Sequence, residues 1–551
     1  MSDLELTLFT NVGGPLTKRI TIENGSIVSD GSACIMTEGT AQRVTMTDAA
    51  GLADLMLKLN PSQALSFGTL RSGLPDTVPI RPRARINGTA YPGLTTAIAR
   101  TKENILYEPG KLAWVLIDFD QKGIPPAVAQ RIQDLGGLWP ALVSVLPSLA
   151  GIERVDRAST SAGLYRTDTN EKLIGSGGIH LALLVRDGSD AERFQKTLHA
   201  RCWLAGLGWL MVGAAGQLLE RSIVDRVVGS PERLIFEGPP ILVPPLKQDA
   251  AARRPIPVDG KALDTLAACI PLTIVEEATL QRLRARESAR LAPEIAKARS
   301  AFISRQAERL TKRTGISTTA ARRTVERQCS GVLLPDLELS FDDTDLAGTT
   351  VADVLADPER FVGETLADPL EGIGYGPGKA KLMRRADGSV WIHSFAHGRT
   401  VYDLKYDYKA VAATLKDATP DGLAATFVGL ALSADLDLTE VERLRDLVHD
   451  RGGIGKRALD AMLKDAHTRQ RAADVKAAKE MRIAERQDAR AFVPVPPIDA
   501  EWLPQINTMN EVLGKCRAEV PPLRDADGAC TEMRAISVPS LSRLAKKETN
   551  A

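Results

Sequence analysis

Closely spaced cysteines are missing from this chain. It has six cysteines in 551 residues, and no two of them form a C-x-x-C pair. Structural zinc sites and disulfide frameworks are usually built from such spacings, so we expect neither here. We therefore predict reduced thiols and no zinc site.

Long apolar runs and an export signal are missing too. The first residues, MSDLELTLF, are acidic and lack the basic start and apolar run of a signal peptide. The longest weakly polar run, residues 202–216, is too short to span a bilayer. These absences predict a cytoplasmic protein with no membrane partner.

Net charge is also nearly absent, because 70 Lys and Arg residues oppose 69 Asp and Glu residues. Any nucleic-acid surface must then be local. What remains is the composition of an ordinary globular protein, with 44% hydrophobic and 25% charged residues. The length suits roughly three or four domains.

One stretch, residues 111–123 with the sequence KLAWVLIDFDQKG, combines an apolar run with two carboxylates. The run predicts a buried strand that carries Asp118 and Asp120 at its C-terminal end. Residues i and i+2 of a strand point to the same face, about 7 Å apart, so this pair is able to share or bridge divalent metals. A turn in which an aspartate caps the next helix has the same spacing, and nucleotide-sugar transferases also carry D-x-D pairs.

Polar residues recur at the ends of later predicted strands. Residues 156–178, rich in Ser, Thr and Gly, predict a long loop, and IHLALLV after it predicts a buried strand that starts at His180. Farther on, Val224 leads into Asp225, and RLIFE at 233–237 predicts another short strand. An acidic pair, a histidine and a third aspartate are thus all expected at strand edges.

This order of motifs resembles the archaeo-eukaryotic primase superfamily. The family's active site combines an Asp-x-Asp, a Ser/Gly-rich turn ending in His, and an apolar residue followed by Asp. Here these are Asp118-Phe119-Asp120, Ser176-Gly177-Gly178-Ile179-His180 and Val224-Asp225. The segments STSAGLY, DRVVGSPERLIFEGPP and GYGPGKAKLMRRADGSVWIHSFAHGRTVYDL are also similar to primase-polymerases of plasmids, phages and integrated elements in bacteria.

The resemblance implies a DNA primase-polymerase that joins a nucleoside triphosphate to a 3′-hydroxyl on a single-stranded DNA template, with or without a primer. Asp118, Asp120 and Asp225 would hold two Mg²⁺ or Mn²⁺ ions. The residues expected to contact the triphosphate are Ser176, Gly177, His180 and Arg233.

Two other functions stay open on the sequence. A non-catalytic replication initiator or DNA-binding replication protein would keep the fold without its chemistry. A metal-dependent D-x-D sugar transferase would bind nucleotide sugars and need no template.

The resemblance also implies a mixed α/β fold, more closely α+β. We expect a primase-like catalytic core with a sheet related to the RNA-recognition fold, followed by helical accessory domains. The predicted divisions are an N-terminal α+β segment packed with the core (1–105), the catalytic core (106–255), a linker around 244–260, a basic helical region (261–330), a small α+β domain (331–410), a helical region with a helix-turn-helix pattern (411–490), and a linker and tail (491–551).

Basic residues of the second half are candidates for DNA contacts. Between Gln281 and Gln328, thirteen Lys or Arg residues stand against four Glu, which is typical of a solvated helix face or of a track for template phosphates. Two strand-like runs around Asp387-Gly388 predict a hairpin that carries further basic and imidazole groups. The proposed DNA contacts are Arg282, Arg286, Arg290, Arg309, Lys381 and Arg399.

The segment GGIGK at 452–456 does not form a phosphate loop. It lacks the first glycine at the required spacing, and Arg457 stands where a Ser or Thr should bind the metal. Any helicase partner is therefore expected to be a separate chain.

Overall fold

The computed structural model describes residues 4–31, 34–36, 38–82, 86, 97–376, 378–385, 387–396 and 400–487. The predicted DNA contact Arg399, together with His397 and the predicted linker and tail from 491, lies outside the described residues. The chain forms two units, Met1–Leu463 and Lys464–Ala551. The candidate site belongs entirely to the first unit.

The strands alternate with helices along the first 270 residues and become sparser afterwards. The strands are β1 (Leu4–Asn11), β2 (Arg19–Glu23), β3 (Ser26–Asp30), β4 (Gly39–Met46), β5 (Gln63–Ser66), β6 (Thr69–Leu70), β7 (Thr77–Ile80), β8 (Ile105–Leu106), β9 (Ala113–Phe119), β10 (Arg154–Ala158), β11 (Leu164–Arg166), β12 (Ile179–Val185), β13 (Gly208–Val212), β14 (Leu218–Ser222), β15 (Ile241–Leu242), β16 (Leu246–Gln248), β17 (Ile256–Val258), β18 (Val332–Leu333), β19 (Thr365–Leu366), β20 (Ala380–Arg384), β21 (Val390–Ser394) and β22 (Val401–Leu404). The helices are α1 (Ala49–Lys58), α2 (Pro126–Asp134), α3 (Leu138–Val145), α4 (Ala191–Leu204), α5 (Thr265–Ala268), α6 (Ile274–Thr314), α7 (Thr318–Ser330), α8 (Val351–Ala356), α9 (Pro358–Phe361), α10 (Tyr408–Asp417), α11 (Leu423–Ser433), α12 (Leu438–Gly452) and α13 (Lys456–Gln487).

The central sheet is antiparallel and has the strand order β17-β10-β12-β9. Its strands β9 and β12 are the two buried strands predicted from the sequence, and both are confirmed. Apart from Asp118 and His180 at one end, both strands are apolar because both faces of the sheet are covered. On one face Val115 and Ile117 pack against α2, α3 and α4. On the other face Trp114 and Leu116 pack against α1 and β1, so the N-terminal segment shares a core with the sheet.

Three local predictions around this sheet were wrong. The segment 156–178 is not one loop, because it contains the end of β10 and all of β11. The supposed linker contributes the edge strand β17, which tolerates Pro257 because an edge strand leaves some of its backbone N–H groups outside the ladder. RLIFE is not a strand, since only Ile235 forms a bridge, to Leu65.

The second half is built on the long helix α6. A capping box of Thr273 and Glu276 starts this helix, and Gly315 ends it in the left-handed conformation with φ 73°. Its C-terminal half and α7 pack against a five-stranded sheet of order β18-β22-β21-β20-β19. The predicted hairpin of β20 and β21 is confirmed, whereas β22 was not predicted.

Helices α10, α11 and α12 form a separate small core. Helices α12 and α13 flank Gly453, which has φ 65°, as the helix-turn-helix pattern predicts. None of the described helices is both long enough and apolar enough to cross a membrane. The fold is therefore mixed α/β with several small sheets, compatible with α+β.

Candidate functional site

The three aspartates singled out in the sequence line one pocket at the C-terminal end of β9. Asp118 is the next-to-last residue of this strand, and Asp120 is the first residue after the strand ends. Asp225 comes shortly after β14, and its backbone N–H donates a hydrogen bond of 3.2 Å to the carbonyl oxygen of Asp118. All three line one pocket of about 70 Å³. This volume suits ions and water molecules rather than a nucleotide.

His180, on the neighbouring strand, does not line this pocket but lies next to Asp118, which does. The antiparallel register of β12 and β9 pairs His180 with Asp118, and such directly opposite side chains are close neighbours. The Nε2 atom of His180 lies 3.5 Å from Oδ1 of Asp118, and its Nδ1 atom lies 2.5 Å from Oε1 of Glu237. The register thus joins two of the predicted motifs.

Glu237 is a member of the site that the sequence analysis missed. Its side chain is fully buried and pairs with Arg157 at 3.1 Å and Arg253 at 3.3 Å, as well as with His180. Burial raises the pKa of this carboxyl, but His180 and the two guanidinium groups outweigh burial and lower the pKa to about 2. A glutamate inside the apolar run LIFE was the available signal, because buried carboxylates need partners.

Charge at the site is set by burial and by carboxylate neighbours. Burial lowers the pKa of His180, but Glu237 and then Asp118 outweigh it, so the pKa is raised and the imidazolium is favoured. Burial also raises the pKa of Asp118, and Asp225 and Asp120 raise it further, against the opposing effect of His180. A half-buried carboxylate is therefore crowded by negative charge, which a cationic ligand would relieve.

The donor chemistry of this pocket fits a hard divalent cation. Among the residues that the structure describes, no three His, Cys, Asp or Glu side chains lie close enough together to form a ready-made metal site. The pocket nevertheless offers three carboxylates, the oxygen ligands that Mg²⁺ and Mn²⁺ prefer. Asp120 and Asp225 each accept a backbone N–H bond of 3.0 Å at Oδ1 only, and their Oδ2 atoms have no described protein partner.

The predicted Ser/Gly turn lies beside the end of β9. The hydroxyl of Ser176 is hydrogen-bonded to Ser159 at 2.9 Å and to Ser161 at 3.0 Å. Gly177 has φ 68°, and a Cβ there would lie 2.5 Å from the side chain of Gln121, so the position requires glycine. Ser176 and Gly177 do not line the aspartate pocket, but their turn contacts the residue that follows Asp120.

Arg233 lies in the same segment after β14 as Asp225, eight residues farther along the chain. Its guanidinium is exposed and donates a hydrogen bond of 3.3 Å to the carbonyl oxygen of Val227. Its positive charge acts to lower the pKa of Asp118, so the two groups are within electrostatic reach. Arg233 is thus free to bind an anion next to the aspartates.

A second buried network holds the backbone that carries Asp225. His199 lines the aspartate pocket, and its Nδ1 atom lies 2.8 Å from the carbonyl oxygen of Val224. Its Nε2 atom lies 3.2 Å from Glu220, which also pairs with Arg226 at 3.0 Å. Burial raises the pKa of Glu220, but His199 and the nearby guanidinium groups lower it to about 2. His199 was not predicted as a site residue.

A loop from the second half of the chain also reaches the site. Glu371 is hydrogen-bonded to Gln217, which precedes β14. Tyr375 is hydrogen-bonded to Arg221, and Arg221 lines the aspartate pocket. The ammonium of Lys379 lies 5.6 Å from the centre of the Tyr375 ring. The sequence offers no signal for these contacts, because they join segments about 150 residues apart.

Lys379 stands near Arg233, and no carboxylate partner is found for it among the residues that the structure describes. Burial lowers the pKa of Lys379, and the charge of Arg233 lowers it further, while no carboxylate is among the groups that act on it. Two cations from different parts of the fold thus repel each other beside the aspartate pocket. A phosphate bound between them would remove this repulsion.

None of the predicted DNA contacts that the structure describes lines the aspartate pocket. On α6, Arg282 and Arg286 are exposed, and Arg290 forms a surface pair with Glu287 at 2.9 Å. Arg309 lines a separate groove with Arg305. On β20, Lys381 stands opposite His393 of β21.

Comparisons of the chain with protein-family models, with curated protein sequences and with solved structures found no match.

Proposed function

We propose that this chain is a template-directed nucleotidyltransferase, a DNA primase-polymerase of a plasmid, phage or integrated element, acting in the cytoplasm. The observation that carries the proposal is the convergence of three sequence motifs. The β9–β12 register pairs Asp118 with His180, and the backbone bond from Asp225 to Asp118 brings the third motif to the same pocket. The proposal keeps the primase-like core as the interpretation of the mixed α/β fold.

Asp118, Asp120 and Asp225 would hold two Mg²⁺ or Mn²⁺ ions. When bound, such ions lower the pKa of a 3′-hydroxyl and neutralise the charge of the triphosphate and of the leaving pyrophosphate. The crowding of negative charge around Asp118 supports this assignment, because cations would relieve it.

The cationic side chains around the pocket suit a triphosphate. The imidazolium of His180 is held through Nδ1 by Glu237, which leaves Nε2 on the side of Asp118. Arg233 adds an exposed guanidinium, and the hydroxyl cluster of Ser176 at the glycine turn adds further donors. Together these groups would orient the α-phosphate toward the 3′-hydroxyl.

The reaction adds one nucleotide to a strand. The 3′-oxygen forms a bond to the α-phosphorus as the bond from that phosphorus to the bridging oxygen breaks, and pyrophosphate leaves. The hydroxyl proton passes to water. The substrates are a nucleoside triphosphate, a single-stranded template and either a primer or a second nucleotide, and any helicase would be a separate chain.

Incorporation of labelled nucleotide on a single-stranded template, with and without a primer, in Mg²⁺ and in Mn²⁺, tests the proposal. We expect incorporation that requires the template and one of these metals. Binding of the template without incorporation would favour a non-catalytic replication protein. Transfer from a nucleotide sugar without a template would favour a D-x-D sugar transferase.

A further inference from the structure

Three ring side chains form a row on the outer face of the five-stranded sheet. Trp391, His393 and Phe395 lie at alternate positions along β21 and its continuation, so they point to the same side. The ring centres of Trp391 and His393 are 5.6 Å apart, and those of His393 and Phe395 are 4.9 Å apart. Intervening residues such as Ile392 are buried in the core behind the sheet.

This row faces solvent in the part of the chain that the structure describes. Phe395 is 56% exposed, and Met383 and Val401, which stand opposite Trp391 and His393 on the same face, are 38% and 37% exposed. Exposed and partly exposed apolar side chains that adjoin one another on one face form a patch of the kind that marks interaction sites.

The row is bordered by cations on the adjacent strand. Lys381 is directly opposite His393 in the β20–β21 register. The guanidinium of Arg385 lies 5.4 Å from the centre of the Trp391 ring and pairs with Asp403 at 2.6 Å. Rings flanked by basic groups suit a ligand that has both flat apolar faces and negative charge.

The row also leads toward the aspartate pocket. The backbone N–H of Phe395 donates a hydrogen bond of 2.8 Å to the carbonyl oxygen of Lys379. Lys379 contacts the ring of Tyr375, and Tyr375 is hydrogen-bonded to Arg221 at the pocket. The Phe395 end of the row is therefore linked to the pocket through Lys379, Tyr375 and Arg221.

We propose that Trp391, His393 and Phe395, with Lys381 beside them, form a stacking platform for the bases of a single-stranded nucleic acid. Aromatic side chains stack on any base, and basic neighbours follow the phosphates, so such platforms bind without sequence preference. An apolar protein partner would leave the cations unused, and a duplex hides the faces of its bases. The inference rests on the proposed function only for identifying this strand as the template.

Binding of a labelled 20-nucleotide oligo-dT to the full chain, measured by fluorescence anisotropy without nucleoside triphosphates, tests the platform. We expect Phe395→Ala to weaken binding about five- to 100-fold. Phe395→Tyr should restore binding and Phe395→Leu should not, because stacking needs a ring. Leu438→Ala, at a side chain that is 87% exposed on α12, is the matched control and should leave binding unchanged.

Several results would overturn the platform. Equal affinities of Phe395→Ala and the wild-type chain would do so, as would an equal loss for duplex DNA of the same length. A lowered Tm with unchanged binding would mean that the ring packs against another part of this chain. Because the assay needs no catalysis, its outcome stays separate from that of the nucleotide-transfer assay.

Discussion

His180 is the residue whose surroundings are most informative. It lies between Glu237, which is fully buried, and Asp118, which faces the pocket. The buried carboxylate keeps Arg157 and Arg253 as partners if His180 is removed, so no unpaired charge would be left in the core. The histidine is therefore replaceable without loss of the fold.

We predict that His180→Ala raises KM for the nucleotide about tenfold or more, because a charge-assisted phosphate contact is lost. The free energy of unfolding should fall by only about 1.5–3 kcal/mol, the value of a hydrogen bond to a charged group. Steady-state kinetics and urea unfolding measure the two effects. A lower stability with unchanged kinetics and unchanged template binding would make His180 a core residue only.

The buried carboxyl of Glu237 predicts acid sensitivity. Its pKa in the folded chain is about 2, against an ordinary value of 4.5. A lowered pKa means stability that is present above the unfolded value and is lost as pH falls toward the folded value. His180 is protonated throughout this range and adds no slope, since its pKa is raised.

We therefore expect the free energy of unfolding to fall between about pH 5 and pH 2, by on the order of 2–3 kcal/mol for this group. Urea titrations at several pH values measure the fall. Glu237→Gln should show a shallower slope. An equal slope in this variant would place the acid sensitivity elsewhere, Glu220 being the next candidate because its pKa is also about 2.

At the scale of elements, the loop before β20 ties the second half of the chain to the aspartate pocket. Tyr375 and Lys379 approach Arg221 and Arg233, which belong to the central fold. We predict that Lys379→Ala raises KM for the nucleotide and changes stability little, because relief of the repulsion from Arg233 offsets the lost contact with the Tyr375 ring. Lys312→Ala, on an exposed ion pair with Glu308, is the control. Equal KM values for the two variants would separate this loop from the nucleotide.

The arginines of helix α6 are expected to contact DNA phosphates. Charge reversal at Arg282, Arg286, Arg290 and Arg309 should weaken DNA binding regardless of sequence. The slope of log affinity against log salt should become shallower by about three, since each phosphate contact to a single strand releases roughly 0.7 counterion. Arg469→Glu, at an exposed pair with Asp465 outside this basic run, is the control. If the slope of log affinity against log salt did not change, these arginines would be ordinary solvated side chains and not phosphate contacts.

At the scale of the whole molecule, periodicity predicted elements better than it predicted boundaries. The apolar runs of β9 and β12 are unambiguous because both faces of their sheet are buried. The supposed linker reads as polar and Pro-rich, yet it supplies edge strand β17, whose contacts are long-range pairings with β10. Leu263 and Cys269, beyond the predicted end of the core at 255, are buried in the same core as Ile117.

At the candidate site, too, some residues could be identified from the sequence and others only from the folded chain. Asp118, Asp120, Asp225 and His180 were singled out because their order along the chain resembles a known family, and the fold brings them together. Glu237, Tyr375 and the ring row on β21 were missed, because their importance depends on partners that only the folded chain supplies. Sequence patterns find local chemistry, whereas packing across the fold decides what surrounds it.

The double variant Asp118→Ala with Asp120→Ala tests the central claim most directly, with nucleotide incorporation on a primed single-stranded template as the measurement. Asp343→Ala with Asp345→Ala removes another, exposed Asp-x-Asp and is the matched control. We predict that the first variant loses more than about 100-fold of its incorporation, since even the partner of a metal ligand typically contributes 10- to 100-fold. It should still fold and bind the template, and the control should act like the wild-type chain. Full incorporation by the first variant would contradict the account.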